Sequence, residues 1–261
     1  MIQVIVNGAL GKMGRTVCDA VRAAEALQLA AVVDPAIQEE EARDVLAFLN
    51  VPAFTSIREC LQEIRADVAV DFTTPGAVVD NVIACLESEL HCVVGTTGLG
   101  DEELLKIESV ARASGVNCLV APNFAIGAVL LMEISRIIAR HMPSCEIIEL
   151  HHDQKLDAPS GTALRTADLI AAERPADSPA PAGPEGNPAR GIIHRDIPIH
   201  SIRLPGLVAH QEVIFGGMGQ TLSLRHDSIS RESFMPGVVL AIRRVGELDG
   251  LAVGLEKIME I

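Results

Sequence analysis

The stretch Val6-Asn7-Gly8-Ala9-Leu10-Gly11-Lys12-Met13-Gly14 separates a short apolar run, Ile2–Val6, from an amphipathic stretch, Lys12–Ala26. Its spacing, G-x-x-G-x-x-G between a predicted strand and a predicted helix, is a variant of the dinucleotide-binding fingerprint. The missing side chains allow a tight turn and a close approach of the backbone to a pyrophosphate. The N–H groups at the start of the helix then bind the phosphates. Glycines at a turn between a strand and a helix also occur for structural reasons alone. The surrounding loops are therefore needed to distinguish a dinucleotide site from a structural turn.

Asp34 follows the second predicted strand, Leu29–Val33. A carboxylate at this position accepts hydrogen bonds from the hydroxyls of an adenosine ribose, and the alternative is a solvated loop acid. Pro35 follows instead of Arg, so no neighbouring cation neutralises a 2′-phosphate, which favours NADH over NADPH. Because Lys12 and Arg15 are candidate substitutes for that cation, NADH and NADPH both stay open as cofactors.

Apolar runs and helical patterns alternate through the first 122 residues. Continuous β-branched runs divided by helices indicate a parallel sheet covered on both faces. Right-handed crossovers make it a doubly wound, Rossmann-like α/β domain. The segment Gln38–Ile64 is less regular, and its structure stays open. The further predicted strands are Val68–Asp71, Cys92–Gly95 and Val116–Ala121, and the predicted helices are Gly76–Ser88 and Asp101–Ser114.

Three more loops follow the carboxyl ends of predicted strands. They are Phe72-Thr73-Thr74-Pro75, Gly95-Thr96-Thr97-Gly98 and Ala121-Pro122-Asn123-Phe124. Open α/β sheets bind ligands in the crevice at those ends, and Gly and small hydroxyl residues let the backbone lie along a nicotinamide ribose. Any one of these loops is explained by ordinary turn chemistry. Together with the glycine turn they favour a dinucleotide site.

The pattern changes after a long apolar helix predicted at Phe124–His141. A strand-like run, a helix start and two alternating strands in a hairpin-like arrangement predict a smaller α+β domain. The helical tail is then free to return to the first domain. The segment Arg174–Gly191 holds five Pro and three Gly, so it is a predicted loop. The other predicted elements are a strand at Glu146–His152, a helix opening at Pro159–Thr162, a hairpin of His210–Phe215 and Gln220–His226, and a helical tail at Pro236–Ile261.

Chemistry-bearing side chains are concentrated in Glu149–Ala163. Histidine titrates nearest neutrality, so His151 and His152 are candidate general acids or bases. Lys155 is a point cation for a carboxylate or a proton donor. Ser160-Gly161-Thr162 at a helix start forms an anion cradle of N–H groups and hydroxyls. An acid, a cation and an anion cradle within a dozen residues predict a site for a small carboxylate that undergoes proton transfer.

Three other interpretations compete for this stretch. A metal site of His151, His152 and Asp153 is disfavoured, because neighbours on a strand point to opposite faces and no ligand spacing is present, so no metal is expected. A structural histidine pair and helix capping by Ser160 and Thr162 are the other two. Strand alternation also lets only one histidine face a substrate unless the strand has ended, and we predict its end at Asp153.

Composition narrows the function classes. The 261 residues are 49% hydrophobic and 21% charged, which suits one large or two modest folded domains. Six Phe, no Trp and no Tyr argue against base stacking, and a net charge of −14 argues against nucleic acid and anionic membranes. Residues 1–150 hold 10 basic and 21 acidic residues, whereas 151–230 hold 7 and 9, so the predicted substrate region is nearly neutral.

Targeting signals and cysteine spacing indicate the compartment. No apolar run reaches the ~18 residues of a spanning helix, and the N-terminus lacks a basic leader, so no membrane association is expected. The six cysteines are widely spaced with no C-x-x-C pair, which is typical of reduced, mostly buried thiols. These features predict a cytoplasmic protein.

The combined motifs resemble the 4-hydroxy-tetrahydrodipicolinate reductase (dihydrodipicolinate reductase) family, over essentially the whole chain. The resemblance of this sequence to the family rests on the glycine turn, Val94–Gly98, Glu149–Ala163 and His200–Ala241. It implies a dinucleotide-binding domain of residues 1–123 with 232–261. A substrate-binding and tetramerisation domain with a mixed sheet would span 124–231, and the assembly would be a homotetramer. The implied reaction is the NAD(P)H-dependent reduction of a cyclic hydroxy-dicarboxylate with loss of water, in the diaminopimelate route to lysine.

Site roles carry over from the family by motif position. His151 resembles the general acid/base and Lys155 the proton donor, while His152, Gly161 and Thr162 resemble the groups that hold the substrate carboxylates; Ser160 joins the predicted substrate-binding residues as part of the anion cradle. Pro35 and the unaligned Gln38–Phe54 depart from the family and bear on cofactor choice. The residues that resemble cofactor contacts are Gly8, Ala9, Leu10, Gly11, Lys12, Met13, Asp34, Gly95, Thr96, Thr97, Ala121, Pro122, Asn123 and Phe124.

Two further functions stay open. Another NAD(P)-dependent dehydrogenase of a small amino or keto acid would keep the first domain and make the resemblance of the second half coincidental. A non-catalytic regulator that responds to NAD(H) would not need His151, His152 and Lys155 beside an anion cradle.

Overall fold

The structure, a computed structural model, describes residues 1–178 and 187–261. These residues form two compact units, Met1–Phe124 with Phe234–Glu260 and Ala125–Ser233, which we call the first and the second unit. The loop predicted at Arg174–Gly191 falls partly on 179–186, outside the described residues. Within the described ranges, no helix combines the length and the hydropathy needed to cross a lipid bilayer.

The strands of the described residues are β1 (Ile2–Asn7), β2 (Leu27–Val33), β3 (Ala53–Phe54), β4 (Val68–Asp71), β5 (His91–Val94), β6 (Cys118–Val120), β7 (Ser144–His151), β8 (Ile192–His194), β9 (Ile197–Arg203), β10 (Ala209–Gly217), β11 (Gln220–Ser228) and β12 (Leu251–Val253). The α-helices are α1 (Lys12–Ala23), α2 (Arg43–Leu49), α3 (Ile57–Glu63), α4 (Pro75–Glu87), α5 (Asp101–Ser114), α6 (Ile126–Ala139), α7 (Gly161–Glu173) and α8 (Met235–Arg244).

The first unit is built on a parallel sheet with the order β12-β6-β5-β4-β1-β2-β3. Its central strands are buried on both faces, and all four residues of β4 are inaccessible to solvent. The chain proceeds outward from β1 in both directions, so the switch point lies between β1 and β4, where doubly wound sheets bind ligands. The predicted Rossmann-like architecture is confirmed.

The segment after α8 completes the first unit. Asn117 donates through Nδ2 to the carbonyls of Val245 and Gly246, at 3.0 and 3.2 Å, and its Oδ1 accepts from the N–H of Gly250 at 3.0 Å. The prediction of a continuous helical tail is wrong here, because β12 pairs with β6. Gly250 and Gly254, with φ of +76° and +106°, flank β12 and interrupt the helix.

Two further helix boundaries differ from the sequence predictions, and the segment left open contains a helix and an edge strand. The helix predicted at Lys12–Ala26 ends at Ala23, because the chain turns through Ala26, with φ of +64°, into β2. The helix predicted at Phe124–His141 spans only α6. Within the segment left open, β3 pairs with β2 and forms the edge strand of the first sheet, and the helix α2 precedes it.

The second unit is built on a mixed sheet with the order β11-β10-β7-β9-β8. Strands β7 and β9 are parallel and the other pairs are antiparallel, so the predicted mixed sheet is confirmed. Helices α6 and α7 pack on one face over a buried core that includes Ile147, Ile170 and Phe215. The predicted hairpin of β10 and β11 turns at Met218-Gly219, and Gly219 has φ of +71°.

Candidate active site

The glycine turn has the geometry that its sequence predicts. Gly8 has φ of +80°, and a Cβ on Gly14 would lie 2.0 Å from the Gly8 carbonyl oxygen, so both positions require glycine. Gly11 is exposed and is the N-terminal cap of α1, with no side chain over the first N–H groups. Lys12 and Met13 lie in the first helical turn. The helix start is therefore open to an anion, which fits a dinucleotide phosphate.

Asp34 supports the glycine turn. Its Oδ2 accepts a hydrogen bond from the N–H of Leu10 at 3.0 Å, and its Oδ1 accepts from the N–H of Ala36 at 3.0 Å. The carboxylate therefore caps the short helix after β2 and fixes the turn after β1. Each oxygen keeps a further lone pair for a ribose hydroxyl, so the structural and the binding interpretations are compatible.

Asp71, at the end of β4, was missed as a site residue. It is buried, and Asn7 and Asn81 donate to its Oδ2 at 2.8 and 3.2 Å. Its Oδ1 accepts from the Thr73 N–H and hydroxyl and from the Thr96 hydroxyl, at 3.1, 2.7 and 2.9 Å. It thus connects the end of β1 with the loops after β4 and β5. The sequence did carry a signal for Asp71: an acidic residue ends a buried strand, and threonines follow in two of the loops.

Phe72, the next residue, brings the remaining loops of the first unit together. A Cβ on Gly8 would lie 2.4 Å from the Phe72 carbonyl oxygen, and one on Gly95 would lie 2.1 Å from its ring. The rings of Phe72 and Phe124 pack with centroids 5.7 Å apart. Ala121, the residue after β6, is also buried. A cavity of about 230 Å³ in this region is lined by Met13, Phe72, Thr73, Pro75, Gly95, Thr96 and Thr97.

Most predicted cofactor residues thus lie around one edge of the first sheet. The glycine turn, Asp34 and the loop Gly95–Thr97 follow β1, β2 and β5, and Ala121–Phe124 follows β6. Pro122 is exposed and Asn123 is half-buried. An open helix start, a carboxylate beside it and glycines that admit a close backbone approach are what a dinucleotide needs.

In the second unit, a buried carboxylate organises the histidine site. Glu149 is fully buried on β7, and its Oε2 lies 2.5 Å from Nδ1 of His151. The Arg203 guanidinium donates to both carboxylate oxygens, at 2.9 and 2.8 Å. Burial alone would raise the pKa of Glu149, but the hydrogen bonds from His151 and Arg203 outweigh it and lower the pKa to about 2.

Glu149 and Arg203 were also missed, although strand geometry explains their positions. Residues two apart on a strand share a face, so Glu149 and His151 lie side by side on β7. Arg203 is the register partner of His151 on the parallel strand β9, which the sequence pattern did not reveal. The signal for Glu149 was present in the alternation of β7.

Strand β7 ends at His151, one residue earlier than the predicted strand Glu146–His152, which was expected to have ended at Asp153. His152 therefore lies in the following loop, exposed, and strand alternation does not decide which way it faces. Lys155 Nζ donates to Asp157 Oδ1 at 2.8 Å, which lowers the pKa of Asp157. Arg203 holds this loop by its backbone, through the carbonyls of Lys155 at 3.3 Å and Asp157 at 2.6 Å.

The start of α7 is connected to the same carboxylate. Ser160 caps the helix by accepting from the N–H of Ala163 at 3.2 Å, and its own N–H donates to Glu149 Oε1 at 3.2 Å. The capping interpretation is therefore correct for Ser160, and the cap is part of the histidine site. Gly161 is exposed with open space around it, and Thr162 is half-buried in the first turn.

This arrangement places a histidine, a lysine and a helix start around Glu149 and Arg203. An imidazole ring can exchange protons, a lysine side chain carries positive charge, and a helix start attracts an anion, so these groups suit a proton transfer on a small anion. No cluster of three or more His, Cys, Asp or Glu side chains suited to a metal ion occurs in residues 1–178 and 187–261.

Comparisons with known proteins agree with this geometry. The chain is 46% identical over 270 residues to the 4-hydroxy-tetrahydrodipicolinate reductase of Halalkalibacterium halodurans, with 100% of each chain covered. A solved structure of dipicolinate-bound dihydrodipicolinate reductase from Paenisporosarcina sp. TG-14 has a TM-score of 0.87 at 44% identity, over 99% of this chain and 100% of that one. A probable dehydrogenase from Thermotoga maritima has a TM-score of 0.69 at 12% identity, over 98% and 92%, and shares only the fold.

Family assignment covers both units. Residues 2–124 match the family described as dihydrodipicolinate reductase, N-terminus, and residues 127–259 match dihydrodipicolinate reductase, C-terminus. The resemblance of the glycine turn and of Glu149–Ala163 is therefore confirmed at full length, and the chain belongs to the dihydrodipicolinate reductase family.

Proposed function

We propose that the chain catalyses the NAD(P)H-dependent reduction of 4-hydroxy-tetrahydrodipicolinate to tetrahydrodipicolinate, in the diaminopimelate route to lysine. Its full-length similarity to reductases of that name supports the reaction. The observation that carries it is a buried carboxylate that contacts His151 and the start of α7 directly and is linked through Arg203 to the loop of Lys155. Dipicolinate in the structure of the relative supports a small cyclic dicarboxylate as substrate.

The reaction removes the substrate hydroxyl as water and adds one hydride and one proton to the resulting conjugated imine. The reduced nicotinamide supplies the hydride when it is bound. His151 exchanges a proton through its ring, and Lys155 donates one and balances carboxylate charge. His152 and the start of α7, with Ser160, Gly161 and Thr162, hold the carboxylates. Lys155 would leave Asp157 for the substrate, exchanging one carboxylate for another.

NADH is the proposed preferred cofactor, although NADPH is also accepted. Two backbone hydrogen bonds hold the Asp34 carboxylate beside the glycine turn. Its negative charge repels a 2′-phosphate, and Pro35 offers no neutralising side chain. The cofactor contacts proposed from the motifs are the glycine turn, Asp34, Gly95–Thr97 and Ala121–Phe124.

We also propose a homotetramer assembled through the open face of the second sheet. The helices cover the face that carries Ile147, so alternation places Ile148 and Leu150 on the other face. Leu150 pairs with Ile202, which is 41% exposed, and together they form an apolar patch. Native mass spectrometry of the wild type and of Leu150→Arg tests this: the variant should lose the tetramer, and a wild-type monomer would contradict it.

The cytoplasm is the proposed location, since all six cysteines are free thiols and five of them are buried. Fractionation of the cells that produce the protein would test this, and recovery outside the cytoplasm would contradict it.

The catalytic assignment is tested with Lys155→Ala and His151→Gln. Losing a charged contact to a carboxylate costs about 2–5 kcal/mol, so kcat/KM should fall on the order of 10²- to 10³-fold for Lys155→Ala. NADH affinity, measured by fluorescence titration, should stay nearly intact. Lys106→Ala, on α5, is the matched control and should keep full activity. Wild-type turnover in both site variants would refute the assignment.

The same assay separates the alternative functions. NADH oxidation is followed with enzymatically generated 4-hydroxy-tetrahydrodipicolinate and with a panel of small keto and imino acids. Turnover of the hydroxy-dicarboxylate supports the proposed reaction. Turnover of a panel member alone would indicate a different dehydrogenase, and NADH binding without turnover would indicate a regulator.

A further inference from the structure

The contact between Glu149 and His151 determines the state of the histidine ring. Nδ1 of His151 lies 2.5 Å from Oε2 of Glu149, whose side chain is fully buried. Oε1 accepts from Arg203 and from the Ser160 N–H, and Oε2 accepts from Arg203 as well. Nε2 of His151 has no hydrogen-bond partner among the described residues. The ring is therefore held through one nitrogen only.

A carboxylate oxygen surrounded by donors only accepts hydrogen bonds, so the proton of this contact is on Nδ1. A neutral imidazole has a single N–H, and Nε2 then carries a lone pair. We infer that Glu149 is a positioning residue that fixes His151 as the Nδ1–H tautomer and presents Nε2 as the proton-exchanging atom. This inference rests on the proposed function, in which His151 exchanges the proton.

Arg203 makes the positioning rigid. A buried carboxylate needs compensation for the water it has lost, and the guanidinium supplies it through two hydrogen bonds. The same guanidinium donates to the carbonyls of Lys155 and Asp157. Glu149 and Arg203 therefore hold His151 and the loop of Lys155 in one network.

The substitution Glu149→Gln gives a specific expectation. A glutamine amide has one acceptor and one donor in place of two acceptors. An NH₂ group at the Oε1 position would oppose two donors, from Arg203 and Ser160. At the Oε2 position it faces Arg203, and the His151 ring can move its proton to Nε2 and accept at Nδ1; the Ser201 hydroxyl, which also hydrogen-bonds to Glu149, can turn to accept from the amide. The variant should therefore contain His151 as the Nε2–H tautomer, with no lone pair on Nε2.

The experiment uses full-length protein labelled with ¹⁵N-histidine and two-bond ¹H–¹⁵N correlation spectra, at a pH where the ring is neutral. His151 should show the Nδ1–H pattern in the wild type and the Nε2–H pattern in Glu149→Gln. The variant's kcat should fall ~10²-fold or more, as expected for loss of general acid–base catalysis, with KM for NADH nearly unchanged. Asp168→Asn, which alters the 2.9 Å pair of Asp168 with His194 in the same unit, is the matched control and should change neither.

Retention of the Nδ1–H pattern in Glu149→Gln would overturn the inference whatever the activity, and so would a switched tautomer with wild-type kcat. Should the variant not fold, Glu149→Gln with Arg203→Met removes both buried charges and is measured in the same way. Full turnover of His151→Gln would instead refute the assignment of His151 as the proton-exchanging residue, and no turnover of 4-hydroxy-tetrahydrodipicolinate by the wild type would refute the proposed function; neither outcome changes the tautomer result.

Discussion

The hydroxyl of Thr96 donates a 2.9 Å hydrogen bond to Oδ1 of Asp71, which is buried at the end of β4. Asp71 accepts four further hydrogen bonds and forms no ion pair with a described residue. A buried carboxylate without a cation is tolerated only when it is fully hydrogen-bonded. One acidic side chain therefore holds the end of β1 and the loops after β4 and β5 together, including Thr96 of the proposed cofactor site.

Asp71→Asn should lower the free energy of unfolding by about 1–3 kcal/mol. Both oxygens of Asp71 accept hydrogen bonds, so the NH₂ group of an asparagine would face donors in place of one of these oxygens. Urea denaturation measures the loss. Asp67→Asn is the matched control: it lies just before the same strand, its exposed carboxylate accepts from the Gln3 N–H, and an amide oxygen preserves that bond. A similar loss in both variants would show that Asp71 has no special role.

Much of the first unit was predictable because its strands are continuous buried runs. The predicted Val68–Asp71 and Asp101–Ser114 have the bounds of β4 and α5. The roles of Asp71 and Phe72 were not predictable, because their partners come from loops after other strands. Such contacts depend on how the sheet is assembled, which local patterns do not encode.

The second unit was less predictable. Strand β9 contains Pro198 and mixes polar with apolar residues, so it lacks the alternation that marks a strand. Arg203 therefore had no predicted position beside His151. The grouping of His151, Lys155 and the start of α7 could nevertheless be predicted, because these residues lie close together in the sequence.

Substitutions in the glycine turn should affect folding at Gly14 and cofactor binding at Gly11. Gly14→Ala forces a Cβ to within 2.0 Å of the Gly8 carbonyl oxygen, so it should destabilise the fold strongly. Gly11→Ala meets its nearest atom at 3.3 Å and has a φ of −66° that alanine adopts, so stability should change by under ~1 kcal/mol. Its methyl group occupies the phosphate side, and KM for NADH should rise ~10-fold. Gly76→Ala, with open space around it, is the control for both and should leave KM unchanged.

Cofactor preference depends on the charge of Asp34. Asp34→Asn keeps one acceptor: its oxygen can still accept from the Ala36 N–H and cap the short helix, whereas the hydrogen bond from the Leu10 N–H is lost at a cost of about 1 kcal/mol, so the protein should still fold. Removing the negative charge should raise kcat/KM for NADPH relative to NADH, by roughly 10-fold for a contribution of about 1.4 kcal/mol. Steady-state kinetics with both cofactors measure the ratio. A wild-type preference for NADPH, or an unchanged ratio in the variant, would contradict the role of this carboxylate.

Acid should destabilise the protein through Glu149. Its pKa is lowered from 4.5 to about 2, so its stabilising contribution is complete above pH 4.5 and disappears as the pH falls toward 2. At about 1.4 kcal/mol per unit this amounts to roughly 3 kcal/mol. Urea denaturation between these pH values should show that the free energy of unfolding falls more steeply in the wild type than in Glu149→Gln.

Glu173 is the control for this prediction, since its pKa is also lowered to about 2, by hydrogen bonds from Arg140 and Arg136. It is more accessible to solvent, so Glu173→Gln should change the slope little, and less still in high salt. Equal slopes in the wild type and Glu149→Gln would show that the buried network does not stabilise the fold.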